Sequence, residues 1–189
     1  MKKLIIPLLV ILVLPLVFQT TPTEILKLKV FDTFVTTPEP SGNFVILNIT
    51  EEDVEREGGY PLPRKRLADI QLEILGKGAL GVGWVISFPQ PDRLMGDEDF
   101  ARSLEYAPSV IAMFETPNNK YPKTTGTVIK GNDIGGILTK GVKENFYTYQ
   151  NILQGIASAP TEIDQLVRRV PLLLRTPEGW VASFGTQIY

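Results

Sequence analysis

The sequence predicts an α/β fold: a single domain with a largely parallel or mixed central sheet flanked by helices, closed by a C-terminal β-hairpin and preceded by an N-terminal hydrophobic helix. Three observations carry this. Short β-branched and apolar runs alternate with segments of helical spacing from Asn43 onward. A length of 189 residues suits one domain with a real core and a short targeting segment. Turn residues punctuate the chain where the period changes, as at Gly76–Gly78, Pro89–Pro91 and Thr176–Gly179.

The first element is the apolar N-terminus. Met1-Lys2-Lys3 precedes Leu4–Phe18, which holds only apolar residues and the two prolines Pro7 and Pro15. A charged start and an apolar run of this length fit a secretory segment and fall slightly short of the ~20 residues of a full bilayer span. Export is the shared consequence. Val17-Phe18-Gln19 and Gln19-Thr20-Thr21 match a small-x-small cleavage site poorly, which favours an anchor over a cleaved peptide. Residues 1–20 are therefore expected to be a signal anchor or signal peptide. With Lys2 and Lys3 held inside, residues 21–189 lie outside the cytoplasm of a bacterial cell, periplasmic or extracellular.

The body follows in order. Asn43–Thr50 is fit for a buried strand, and Arg66–Leu75 spaces its apolar residues for a helix ended by Gly76–Gly78. Leu80–Phe88 is a second strand stopped by Pro89 and Pro91. Asp97, Glu98 and Asp99 form a solvated start to a helix reaching Tyr106, where negative charge suits the dipole. Ser109–Phe114 is a third strand, and this β-α-β-α-β order implies parallel pairing. Glu115–Lys130, rich in Pro, Thr, Asn and Lys, is a long excursion. Gly135–Thr139 is expected to start a strand, Asn151–Ala159 to form a short helix, and Val167–Arg175 with Trp180–Phe184 to form the hairpin.

Composition excludes several functions. A net charge of −2 with a pI near 5.3 gives no basic field to attract nucleic acid. Without cysteine or histidine there are no disulfides, thiolate nucleophiles, Cys/His zinc sites or imidazole bases. No nucleophile elbow, metal cluster or acid/base pair is assignable, so no enzymatic activity, cofactor or metal is expected of this domain. Gly76-Lys-Gly-Ala-Leu-Gly81 satisfies G-x-G-x-x-G, but it follows a helix and enters a strand, the reverse of a dinucleotide turn. A helix C-cap and a tight entry turn account for it.

Four stretches carry a family resemblance. They are Phe31-Asp32, then Asn43–Thr50 with Glu51-Glu52-Asp53, then Gly59-Tyr60-Pro61-Leu62-Pro63-Arg64, and last Arg168-Arg169-Val170-Pro171-Leu172. In this order, from about Leu28 to Tyr189, the chain resembles a CHASE domain of the second type, the extracellular sensory module of bacterial adenylate cyclases, histidine kinases and related receptors. It departs from the family pattern at Gly83-Trp84-Val85, where an acid is usual after the aromatic residue, and at Asp164-Gln165-Leu166, where Asp-Gly is usual. The resemblance implies a sensory or ligand-binding domain of a membrane-bound receptor whose transmitter, a cyclase, kinase or similar module, lies outside this sequence. A stand-alone, membrane-anchored binding or scaffold protein is the alternative.

The expected partners are a small-molecule ligand of unknown identity, the membrane through the N-terminal helix, a signalling module in the same or a partner chain, and a second copy in a homodimer. Arg64, Arg168 and Arg169 are candidate ligands for an anion, because a guanidinium recognises carboxylates and phosphates in a planar, bidentate way. Equally, Asp32 or Asp53 could pair with one of these arginines and pin the N-terminal segment to the hairpin, which is the favoured reading. Tyr60 and Trp84 complete the candidate set as apolar walls of a concave site.

Overall fold

The computed structural model describes residues 20–36, 38–117, 120–121, 135–177 and 179–189. The expected hydrophobic helix and most of the excursion after Glu115 lie outside the described residues. No helix among the described residues is long and apolar enough to cross a membrane. The chain divides into two compact units, one of residues 1–47 with 160–169 and one of residues 48–159 with 170–189.

The first unit contains helix α1, Thr21–Phe34, started by a proline in its first turn, together with the segment 160–169. The second unit opens with α2, Glu51–Arg56, whose reciprocal capping box joins Thr50 and Asp53: the Asp53 amide donates to Thr50 Oγ1 and the Thr50 amide to Asp53 Oδ2. Helix α3, Arg64–Gly76, follows, and Gly78 at φ +95° leaves the helix through the left-handed region, as the sequence anticipated. Strand β1 is Val82–Trp84, α4 is Asp97–Leu104 and β2 is Ser109–Met113. A single 3₁₀ turn, Tyr147–Tyr149, leads to β3, Leu153–Ile156. Strands β4, Leu173–Thr176, and β5, Gly179–Ala182, precede α5, Phe184–Ile188.

The architecture is mixed α/β. Strands β1, β2 and β3 form a parallel sheet in that order, with Val82 opposite Ser109 and Val110 opposite Leu153. All five residues of β2 are buried, as a central parallel strand covered on both faces requires. Strands β4 and β5 form the antiparallel C-terminal hairpin, shorter than the sequence suggested.

Three expectations are corrected. Asn43–Thr50 forms no strand: Phe44, Val45, Ile46 and Leu47 are 64–86% exposed, and no partner strand is present among the described residues to complete its ladder. Asn151–Ala159 is not a helix but contains β3, where pairing with β2 overrides the local spacing. Gly155 shows why: a Cβ there would lie 2.5 Å from the Cα of Phe184, so the position exists to let α5 approach the sheet. Gly135–Thr139 starts no strand and makes one parallel bridge, Leu138 to Arg175.

The main core joins Leu62, Leu67, Trp84, Phe88, Phe100, Leu104, Ile111 and Tyr149, and a smaller one joins Met113, Val142, Ile156, Leu174 and Val181. Both belong to the second unit.

Candidate functional site

Two charged clusters stand out, one in each unit. In the first unit, Arg168 is the centre. Its Nε and Nη2 donate to the two carboxylate oxygens of Asp32 at 2.7 Å each, and its Nη1 and Nη2 donate to those of Asp164 at 2.8 and 2.6 Å. Both contacts are bidentate forks, the geometry for which arginine is suited and lysine is not. The Arg168 side chain is 7% exposed and that of Asp164 13%, so the pairs are shielded, whereas Asp32 is 44% exposed. Four of the five N–H bonds of the guanidinium are thereby committed. Asp32 lies on α1 and Arg168 is 136 residues further on, so one side chain ties the helix that follows the apolar N-terminus to the segment preceding the hairpin.

This is the pairing of Asp32 with one of the three arginines that the sequence favoured, and Arg168 is the partner. Asp53 instead holds Arg56 within α2. Arg169 points away from the clamp, with its side chain 74% exposed and Glu162 at 3.2 Å.

Arg168 sets the charge of both acids. Its hydrogen bonds hold the Asp32 carboxyl below the usual range and bring Asp164 down to about 2. Carboxylates lowered on folding contribute stability that is present above their unfolded pKa, near 4, and is lost as the pH falls through the folded values. The wild-type chain is therefore expected to lose melting temperature between about pH 4 and pH 2 by a component that Arg168→Met lacks. Thermal unfolding of both proteins across that window checks it, and parallel curves would show that the clamp contributes nothing.

The second cluster lies at the meeting of α3 and α4. Asp92 Oδ2 accepts the amides of Arg64 and Gly96, both at 3.1 Å, and so sits at the N-termini of both helices, where their dipoles favour an anion. Burial pushes the Asp92 carboxyl up, but these amide hydrogen bonds, that of Leu94 and the Arg64 charge outweigh it and leave it below the ordinary range. Asp97 accepts the Tyr149 hydroxyl at 2.5 Å on Oδ1 and the Asp92 amide at 2.6 Å on Oδ2. Arg64, 8% exposed, lies with Nε 3.7 Å from Asp97 Oδ1 and its guanidinium 4.5 Å over the Phe88 ring. Burial and the neighbouring Asp97 carboxylate hold the Tyr149 phenol far above its usual range, so it acts as a donor and not as a nucleophile.

The expected solvated helix start is thus corrected at Asp97, which is buried, while Glu98 and Asp99 are exposed. Sequence reasoning missed Asp92 and Tyr149 as members of this network. The only signal was Asp92 next to a proline and close ahead of a helix start, and nothing placed Tyr149 near it.

The remaining candidates separate. Trp84 is buried, donating Nε1–H to Gln71 Oε1 at 2.8 Å and meeting Phe100 edge to face. It is a core residue that faces Gln71 and Phe100. Tyr60 is 76% exposed. Among the described residues, no group of three or more His, Cys, Asp or Glu is placed to hold a metal ion.

A family model completes the picture, for the CHASE2 domain matches residues 8–189. The chain belongs to the CHASE2 family. CHASE2 domains are extracellular sensory domains of signalling receptors. No curated protein and no solved structure matches the chain. Within the CHASE2 frame two of the three arginines of the recognised stretches have distinct roles: Arg64 lies inside the domain core and Arg168 fastens α1. Three of the motif residues, Asp32, Arg64 and Arg168, thus serve to join elements of the fold.

Proposed function

We propose that this chain is the extracytoplasmic sensory part of a membrane-bound bacterial signalling receptor, held in the membrane by Leu4–Phe18 with residues 21–189 outside. The match of the CHASE2 family over residues 8–189 carries the reading. The sequence supports the topology through Lys2 and Lys3 ahead of the apolar run. The domain binds and does not catalyse: its buried phenol is held protonated, and the acids of its two charged clusters, Asp32, Asp92, Asp97 and Asp164, are committed to arginine, to the Tyr149 hydroxyl or to backbone amides. A small-molecule ligand would act by binding two states of the receptor unequally, and the transmitter, a cyclase or kinase module, would read the shift. The clamp of Arg168 on α1 supports this route, because it links the domain's 160–169 segment to the helix that follows the anchor.

The chain contains no cysteine, which makes the topology directly testable. Leu80, 91% exposed, replaced by cysteine in the full chain, is expected to react with a membrane-impermeant maleimide in spheroplasts without lysis. Labelling only after lysis would overturn the extracytoplasmic reading.

A further inference from the structure

We propose that the Arg168 fork is a receptor site for a small-molecule carboxylate and that Asp32 is its built-in competitor: an external carboxylate takes the place of the Asp32 side chain and so releases α1. The contacts that carry this lie inside the first unit. The inference rests on the sensory reading for its place in signalling and deepens it, by assigning a ligand class and a route of action.

The two acids that share Arg168 are held unequally. Asp164 sits four residues before it on the same segment, and its Oδ1 also accepts the Leu166 amide at 3.3 Å. It stays with Arg168 when α1 leaves and keeps the guanidinium oriented, so the site is preorganised. Asp32 comes from a different element 136 residues away, and among the described residues its carboxylate has no hydrogen-bond partner but Arg168. What it supplies is two oxygens, each 2.7 Å from a donor, and any carboxylate supplies the same pair. Among the described residues these two bonds are also the only hydrogen bonds that join α1 to a distant part of the chain. A helix of 14 residues is marginal by itself, the limit being about 12–15, so removing this tie loosens it.

Charge selects the class. Arg168 and Asp164 together are neutral, and Asp32 adds a single negative charge, which a monocarboxylate reproduces. A phosphate dianion fits the same fork but would bring its second charge beside Asp164, whose Oδ2 lies 2.6 Å from the shared Nη2. The neighbouring cation cannot offset it, because Arg169 is occupied by Glu162 at 3.2 Å. An external carboxylate must also displace a tethered one, whose effective concentration is roughly millimolar or above. The physiological ligand therefore makes contacts beyond its carboxylate, and a bare carboxylate competes poorly until Asp32 is removed.

Acetate is the probe. In the full chain in detergent, at neutral pH and fixed ionic strength, the Arg168 Nε–H resonance of Asp32→Ala is expected to shift saturably with acetate. Half-saturation should fall roughly tenfold or more below that of the parent chain, which still carries its competitor. Inorganic phosphate should bind more weakly than acetate, and chloride should leave the resonance where it is. Loss of the signal in Arg168→Lys identifies it. Asp32→Asn, which keeps the side-chain size and one acceptor oxygen, carries the same titration if the alanine variant does not fold. In the parent chain, saturating acetate should raise hydrogen exchange of the α1 amides toward the rate in Asp32→Ala. The absence of a saturable response in the folded variant would overturn the proposal, as would equal half-saturation in parent and variant. So would phosphate binding as tightly as acetate, or α1 exchange unchanged by bound acetate. If the sensory reading alone is wrong, maleimide labelling of Leu80→Cys fails while the acetate titration stands.

Discussion

Replacing Asp97 by alanine is expected to destabilise the domain by about 3–5 kcal/mol, the range for removing one partner of a buried, hydrogen-bonded charge pair. Asp97 is 7% exposed and serves three groups at once: the Tyr149 hydroxyl, the Asp92 amide and the Arg64 guanidinium. Alanine leaves a phenol without its acceptor and a buried cation without its counter-ion. The phenol is fully buried and the cation sits over Phe88, so neither can turn to water without opening the core. Urea unfolding at neutral pH measures the loss, with an unchanged slope showing that the denatured state is the same. Arg64→Met should be costly alone, and the pair Arg64→Met, Asp97→Ala should cost less than the sum, since the second change removes a charge that the first has stranded. A loss under about 1 kcal/mol for Asp97→Ala would mean that Arg64 is held by its cation–π contact and Leu62 carbonyl instead.

The elements that sequence could place were those whose signals are local. The Gly76–Gly78 stop, the acidic first turn of α4 and the β-branched run of β2 each depend on a few neighbouring residues, and each appears where expected within a residue or two. β3 failed for the opposite reason. Its Leu-Gln-Gly-Ile carries no alternation, and it is a strand because β2 offers it a ladder and α5 lies on Gly155. Asn43–Thr50 failed in the other direction: its propensity is strong, but a strand is a relation between segments, and this one has no partner among the described residues. The site shows the same division. The sequence expected Asp32 or Asp53 to meet one of Arg64, Arg168 and Arg169 without saying which, and the pair that forms is Asp32 with Arg168. Asp92, Asp97 and Tyr149 are up to 57 residues apart and come together only because α3 and α4 pack alongside each other with their N-termini together at Asp92, which no periodicity records.

Phe100→Ala is the second large effect, again about 3–5 kcal/mol, from lost burial and the cavity left behind. Phe100 is fully buried on α4, with its ring 5.3 Å from that of Trp84, 5.2 Å from Phe88 and 5.9 Å from Tyr149, edge to face in each case. It is the one ring that touches all three others, so no neighbour can swing into the gap without abandoning its own contacts. Phe100→Leu, which keeps most of the volume, should lose much less. Tyr60→Ala provides the contrast, because its side chain is 76% exposed and the expected change lies within about 0.5 kcal/mol of zero. Chemical unfolding of the three variants under one condition checks the order, and equal losses for Phe100→Ala and Tyr60→Ala would refute the assignment of Phe100 to the centre of the core. The contrast matters for function. A Phe100 variant that fails in a signalling assay has lost its domain, whereas a Tyr60 variant that keeps its stability and fails in the same assay has lost something other than the fold, so exposed Tyr60 is the position at which the two can be separated.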